Sequence, residues 1–228
     1  MFKISKYYRL EFTFWVIAFL EVVAEGLQYL PALYVLKPLI PLVIWWMYWK
    51  NSTKKQSLFV IVYVLSAIVN VLFIPKSWSF LHWAVIAFLV HRIFFVVLLY
   101  QNLTKVKWNW FFIYAIPFFV FFSFLFYISD KQSDVMLTLL LLQNLLITVI
   151  AAFAFQNYFL TVGFARFWLF ISAIFYVILH TIIYLERFYL DFTIFRPIAM
   201  ICNVIAFYFF YRFVLEAEKE STIPPAKL

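Results

Sequence analysis

The feature that most constrains the fold is a series of eight apolar segments, each close to the length that crosses a bilayer. They lie at about 11–29, 31–49, 57–75, 79–100, 109–128, 135–156, 164–184 and 193–214. A hydrocarbon core of roughly 30 Å requires about 20 apolar residues in a helix. Because 68% of the residues are hydrophobic and only 12% are charged, the chain cannot cover a soluble domain with polar surface. We therefore predict an all-α polytopic integral membrane protein, a bundle of eight transmembrane helices.

Basic residues are distributed unevenly over the two sides of these segments. With the N-terminus inside, the inner flanks carry Lys3, Lys6, Arg9, Lys50, Lys54, Lys55, Lys105, Lys107, Arg166, Arg212, Lys219 and Lys227, and the outer flanks carry Lys76, Lys131, Arg187 and Arg196. This positive-inside bias predicts that both termini are cytoplasmic. The formal charge of +8 then reflects topology and contact with anionic lipid, and we expect no nucleic-acid partner. In a bacterium, the expected location is the cytoplasmic (inner) membrane.

The chain is predicted to form one transmembrane domain over residues 1–214. Residues 215–228 are polar and are expected to form a disordered cytoplasmic tail. The single cysteine, Cys202, excludes an internal disulfide framework and a multi-cysteine metal site. Two glycines, Gly26 and Gly163, leave no material for a glycine-rich phosphate loop. We predict neither a metal site nor a cofactor.

Polar side chains interrupt the apolar segments at only a few positions. They are Glu21, Glu25, Lys37, Asn70, His91, Arg92, Gln143, Asn144, His180 and Asn203. At 1.5 Å per residue, Glu25, Lys37, Asn70 and His180 are expected roughly 8–10 Å from the outer helix ends, and His91 about two turns deeper. They can join neighbouring helices by hydrogen bonds or line a polar cavity, and the shared depth favours a cavity in the outer half of the membrane.

Lys37 and Arg92 are basic residues well inside the apolar segments. A charged lysine in hydrocarbon costs about 2.5–3.5 kcal/mol, so Lys37 needs a partner. Glu25, or Glu21 one turn deeper on the same helix face, can meet it across the first helical hairpin. Arg92 follows His91 directly, so it is expected to face another direction and either to extend toward the membrane surface or to bind a lipid phosphate.

Four short motifs occur in order along the segments. Lys37-Pro38-Leu39 lies in the second segment, "SAIVN" at 66–70 in the third, Val90-His91 in the fourth and "SAIFYVILHTIIYLERF" at 172–188 in the seventh. In these motifs the chain resembles the YhhN family, the lysoplasmalogenases, which include the transmembrane protein 86 group. The resemblance implies eight helices and an activity that cleaves the vinyl ether bond of lysoplasmalogens, releasing an aldehyde and a glycerophospho-base.

The resemblance also shows where this chain departs from the family. The two family aspartates align with Asn70 and His180, and two motif glycines align with Val69 and Val90. Vinyl ether hydrolysis needs an acid that protonates the enol carbon and an activated water that attacks the resulting oxocarbenium ion. A pair of carboxylates with separated pKa values suits this division. Asn70 can take neither role.

Three hypotheses follow for the function. In the first, the protein is a hydrolase in which His180, Glu25 and Glu21 share the acid and base roles, while Lys37, Asn70, His91 and Arg92 bind the substrate. In the second, it is a pseudoenzyme that binds lipid or serves as an accessory subunit with a protein partner in a larger membrane complex. In the third, it is a proton-coupled transporter, although no internal repeat or matching pair of glycine-broken helices supports this. Convergence on an open cavity would favour the first hypothesis, and a filled interior the second.

Overall fold

The computed structural model describes residues 2–75, 77–103, 105–128, 134–189 and 192–222, and within these ranges the regular structure is α-helical without a strand. The helices are α1 (Phe2–Gly26), α2 (Leu30–Asn51), α3 (Ser57–Leu72), α4 (Trp78–Gln101), α5 (Trp108–Ile128), α6 (Asp134–Leu160), α7 (Phe164–Phe188) and α8 (Phe195–Thr222). Helices α2 and α4–α8 are long and apolar enough to cross a membrane, whereas α3 is a shorter apolar helix. This confirms the predicted polytopic helical bundle.

The first helical hairpin is tight because the sequence provides its turn residues. Helix α1 ends at Gly26, and Gln28 adopts a positive φ of 51° in the turn. The amides of Leu27 and Tyr29 donate to carbonyls in the last turns of α1. Pro31 occupies the first turn of α2, where its missing N–H has no helical partner to lose. The reversal therefore places α1 and α2 side by side.

Seven helices form a closed arrangement and one lies outside it. Along the chain α1, α2, α3 and α4 pack in sequence, α4 then packs on α6, and α6, α7 and α8 follow, with α8 returning to α1 and α2. Helix α8 is the most buried, at 67% of its candidate span, whereas the span in α5 is 17% buried. Helix α5 packs against α6 and has a large surface left for lipid.

Contacts between helix ends define one end of the bundle, where Asn51 bonds to Tyr211, Gln56 to Asn102 and Arg166 to Glu220. We call the end with the α2–α3, α4–α5 and α6–α7 loops the basic end, and the opposite one, with the α1–α2 hairpin, the far end. The basic end carries most of the lysine and arginine residues that predict a cytoplasmic location. The orientation of the bundle in the membrane stays a prediction.

Stacked aromatic rings join three helices in the core. The ring centroids of Tyr48 and Phe59 are 3.7 Å apart, and those of Phe59 and Tyr63 are 4.3 Å apart. The Tyr63 hydroxyl donates a hydrogen bond of 3.0 Å to the Phe207 carbonyl on α8. All these side chains are buried. Buried aromatic rings provide large contact areas in fixed geometry, so this column fixes α2 and α3 against α8.

The predicted tail boundary is wrong, because α8 continues to Thr222 and residues 215–222 are helical. Glu218, within this segment, is 2% exposed. Its carboxylate accepts hydrogen bonds from the Tyr48 hydroxyl and, at 2.8 Å, from Ser52 Oγ. These contacts fix the position of a polar segment whose composition predicts disorder. Residues 223–228 of the expected tail lie outside the described residues.

We expect Glu218→Ala to destabilise the protein by roughly 1–3 kcal/mol, because it leaves two buried hydroxyl groups without their acceptor. The measurement is the thermal unfolding midpoint in detergent. Glu216→Ala is the matched control, since its carboxylate pairs with Lys219 at the surface, where an ion pair contributes little. Equal losses in the two variants would contradict an anchoring role for Glu218.

Candidate functional site

Lys37 pairs with Glu25 across the α1–α2 hairpin, as the sequence predicts. Lys37 Nζ and Glu25 Oε2 are 3.1 Å apart, and both side chains are about nine-tenths buried. Glu25 lies nearer the far end than expected, because α1 already ends at Gly26. The lysine side chain extends toward the N-terminus of its own helix, which for α2 is the far end. The ion pair therefore lies near that end of the bundle.

Glu21 lies one turn deeper than Glu25 and is completely buried. Neither carboxylate oxygen has a hydrogen-bond partner among the described residues, although Lys37 and Glu25 are close enough to interact with it electrostatically. A buried carboxylate is normally paired or hydrogen-bonded. In the described part of the chain, Glu21 is therefore a buried acid whose carboxylate makes no hydrogen bond.

The amide group of Asn70 makes a hydrogen bond that replaces one missing from α2. Pro41 lacks an N–H, so the carbonyl of Lys37 four residues earlier loses its helical donor. Asn70 Nδ2 on α3 supplies a replacement, donating to the Lys37 carbonyl at 3.0 Å. This bond is not among the sequence predictions, although the four-residue spacing of Lys37 and Pro41 indicates a carbonyl without its helical donor. The bond joins α3 to α2 at a break in the α2 hydrogen-bond ladder.

Arg92 is buried, with 3% of its surface exposed, so the expectation that it extends to the membrane surface is wrong. One guanidinium nitrogen donates to the Gln143 carbonyl at 3.1 Å, and the other lies 3.2 Å from His180 Nδ1. The guanidinium carbon lies 4.4 Å above the centre of the Phe88 ring. A helical side chain leans toward the preceding turn, which here directs Arg92 over Phe88 and between α6 and α7.

The hydrogen bonds of His180 define its tautomer and occupy both ring nitrogens. Because arginine can only donate, Nδ1 is the acceptor and Nε2 carries the proton. His180 Nε2 then donates to Asn144 Oδ1 at 2.8 Å, and Asn144 Nδ2 donates to the Tyr184 hydroxyl at 3.1 Å. The result is a continuous chain of hydrogen bonds from α4 through α7 to α6. In this arrangement neither nitrogen of His180 is available to activate a water.

His91 and Tyr176 are buried polar groups that share their aromatic neighbours. The rings of Phe95 and Phe207 contact both side chains, with centroid distances between 5.2 and 6.3 Å. Within the described ranges, the two ring nitrogens of His91 and the hydroxyl group of Tyr176 have no hydrogen-bond partner. Tyr176 is not among the predicted site residues, although its position four residues before His180 places the two on one helix face.

The predicted site residues, together with Asn144 and Tyr176, form two clusters. The hairpin cluster consists of Glu21, Glu25, Lys37 and Asn70, and the α4–α7 cluster consists of His91, Arg92, Asn144, Tyr176 and His180. Among the residues that the structure describes, no hydrogen bond or ion pair joins the two clusters. The convergence of Glu25, Lys37, His91 and His180 on one cavity stays a prediction.

The two cavities described do not coincide with the expected outer cavity. One, of about 220 Å³, lies at the basic end and is lined by Asn51, Arg212, Leu215, Glu216 and Lys219. The other, of about 10 Å³, is a fissure between α5 and α6 that reaches Asn144. Across the described residues, no group of three or more His, Cys, Asp or Glu side chains is placed to hold a metal ion.

We expect Asn70→Asp to destabilise the bundle by roughly 1–3 kcal/mol, because an ionised carboxylate cannot donate to the Lys37 carbonyl. The measurement is thermal unfolding in detergent, in the wild-type background and in Pro41→Ala. Alanine at position 41 restores an N–H for that carbonyl, so the cost of Asn70→Asp should fall in the second background. The same cost in both backgrounds would contradict the proposed link between Asn70 and Pro41.

Comparison with known proteins adds one positive finding. The sequence profile of the YhhN family matches residues 32–214, a range that runs from the start of α2 into the second half of α8. Searches of curated proteins and of solved structures gave no significant match. The matched range covers well over half of the chain and includes every cluster residue except Glu21 and Glu25. This protein is therefore a membrane protein that belongs to the YhhN family.

Proposed function

We propose that this YhhN-type membrane protein binds a lysophospholipid or a similar single-chain amphiphile and has lost the vinyl ether hydrolase activity. The observation that carries this proposal is the engagement of the two positions that resemble the family aspartates. Asn70 donates its amide to a backbone carbonyl, and His180 uses both ring nitrogens in hydrogen bonds. Both side chains join helices and are occupied before any substrate arrives.

The chemistry of vinyl ether hydrolysis is the reason that this engagement supports a loss of activity. One group must deliver a proton to the enol carbon, and a base must remove a proton from the attacking water. Glu25 is held by Lys37 at 3.1 Å, and neither Asn70 nor His180 presents a free acid or base. The remaining carboxylate of the hairpin cluster, Glu21, has the paired Glu25 as its acidic neighbour among the described residues.

Binding of an amphiphile is supported by the polar groups that the fold leaves inside the apolar bundle. Ionisable side chains within membrane-spanning helices are rare and are retained mainly for ligands, ions or proton transfer. Arg92 and His91 are such groups, and both are buried in the α4–α7 cluster. Membrane lipids are the ligands to which an intramembrane site has direct access, and the resemblance implies the lysophospholipid class.

Residual hydrolysis through Glu21 is the second candidate function, because this carboxylate is buried and lacks a hydrogen-bond partner among the described residues. In this alternative, a displaced carboxylate would replace the family aspartates. Glu21→Gln removes the ionisable group and keeps the shape of the side chain, so it is the variant that separates the two functions.

The catalytic test is incubation of the protein in lipid nanodiscs with a lysoplasmenyl lipid, with aldehyde release as the readout. We expect release at the protein-free rate, both for the wild type and for Glu21→Gln. Release well above that rate in the wild type that disappears in Glu21→Gln would overturn the loss of activity and establish the second candidate.

The binding test compares lipids that share one head group, using titrations followed by native mass spectrometry. We expect the single-chain lysophospholipid to bind more tightly than the diacyl lipid, because a site inside a helical bundle has limited room for acyl chains. Equal affinity for the two lipids would contradict the proposed ligand class.

A further inference from the structure

The interior of the bundle contains a cation whose charge is not balanced by an acidic side chain in the described residues. Arg92 is 3% exposed, and its contacts are the Gln143 carbonyl, His180 and the Phe88 ring. None of these groups carries a negative charge. An unpaired buried charge costs several kcal/mol even after relaxation, so the burial of Arg92 lowers the stability of the fold.

Arg92 also has donors left for a ligand. A guanidinium group has five N–H donors, and the described contacts use one on each terminal nitrogen. The remaining donors have no acceptor among the residues described. The planar guanidinium group matches the geometry of a phosphate and can bind two of its oxygens at once. The contacts with uncharged groups therefore position the Arg92 guanidinium group and leave its charge without a counter-ion among the described residues.

Two further polar groups near Arg92 lack partners. His91 precedes Arg92 in the chain, and Tyr176 is close enough to interact with Arg92 electrostatically. His91 and Tyr176 are 3% and 7% exposed, and their polar atoms have no hydrogen-bond partner within the described ranges. Buried polar atoms are nearly always hydrogen-bonded. A ligand that presents several acceptor oxygens would satisfy both groups together with Arg92.

We propose that Arg92, His91 and Tyr176 form the site for the phosphate group of the ligand. This inference rests on the proposed function and deepens it, since it assigns the head group to the α4–α7 cluster. The ammonium of Lys37, the cation of the hairpin cluster, is already paired with Glu25. Arg92 provides the charge, while His91 and Tyr176 donate hydrogen bonds to the remaining oxygens.

The fissure between α5 and α6 gives this site a route from the lipid. Its lining includes Phe122 and Asn144, and both residues contact His180, through a ring distance of 5.2 Å and a hydrogen bond of 2.8 Å. The present volume of about 10 Å³ is close to that of one water. Helix α5 packs mainly on α6, so a small outward movement of α5 opens the fissure to an acyl chain.

The test measures binding of two lipids with the same acyl chain, a lysophosphatidylcholine and a monoacylglycerol, which lacks the phosphate. Arg92→Gln keeps hydrogen-bond donors and loses the charge. We expect it to weaken binding of the phospholipid about tenfold or more and to leave the monoacylglycerol unchanged. Arg166→Gln is the matched control, since Arg166 pairs with Glu220 at the basic end, and it should alter neither affinity.

A second variant keeps the proposal testable if Arg92→Gln fails to fold. Tyr176→Phe removes only the hydroxyl group and preserves the ring contacts with Phe95 and Phe207. We expect a loss of roughly threefold to tenfold in affinity for the phospholipid alone. Equal losses for both lipids, or no loss for either variant, would overturn the assignment of the phosphate to this cluster.

Inorganic phosphate separates the two sources of the anion. If it stabilises the wild type but not Arg92→Gln against thermal unfolding, the site binds phosphate as a free ion. If only the lysophospholipid stabilises the wild type, the phosphate must come from a lipid. Stabilisation by inorganic phosphate without a preference for lysophospholipid would keep the anion site and reject the proposed function. Stabilisation by neither probe would reject the anion site.

Discussion

A polar group inside this bundle can be satisfied only by the protein itself or by a bound ligand, because the surrounding hydrocarbon offers neither a donor nor an acceptor. The α2 helix shows the consequence most directly. Pro41 removes the donor for the Lys37 carbonyl, and a side chain from the neighbouring helix, Asn70, replaces it. The same requirement explains why Lys37 extends to Glu25 and why α8 remains helical as far as Thr222, with Glu218 held by hydroxyl groups of α2 and the following loop.

This requirement also connects the sequence differences from the family pattern to the proposed loss of catalysis. An aspartate at position 70 would have to be protonated to donate to the Lys37 carbonyl, whereas an asparagine donates without titrating. At position 180, a histidine accepts from Arg92 and donates to Asn144 at once, which an ionised carboxylate cannot do. The resemblance implies aspartates at these two positions in the family, and each substitution would then replace a proton-carrying carboxyl group with a side chain that links helices by hydrogen bonds.

The parts of the structure that the sequence predicted are those governed by hydrophobicity and by local spacing. Helix number and class followed from the apolar segments, and the partner of Lys37 followed from its distance to Glu25 across a short turn. Contacts between distant segments were not predictable in the same way. Arg92 meets residues 51 and 88 positions away, and Glu218 meets Tyr48, 170 positions away. The sequence predicts an exposed location for both residues, but contacts with distant segments bury their side chains.

The buried charged and polar groups of the bundle differ in whether the protein provides them with a partner. Toward the basic end, Glu218 is satisfied by hydroxyl groups, Glu220 pairs with Arg166, and Glu11 pairs with Arg212. In the other half, Glu21, His91 and Tyr176 have polar atoms without partners among the described residues, and Arg92 has no acidic partner there. Trp45 and Gln156, nearer the basic end, also have buried atoms without partners among the described residues, so the proposed site rests on the combination of groups and not on a missing partner alone. The groups left in this state include a cation and two hydrogen-bonding side chains within one cluster, and that combination fits an anionic ligand better than it fits helix packing.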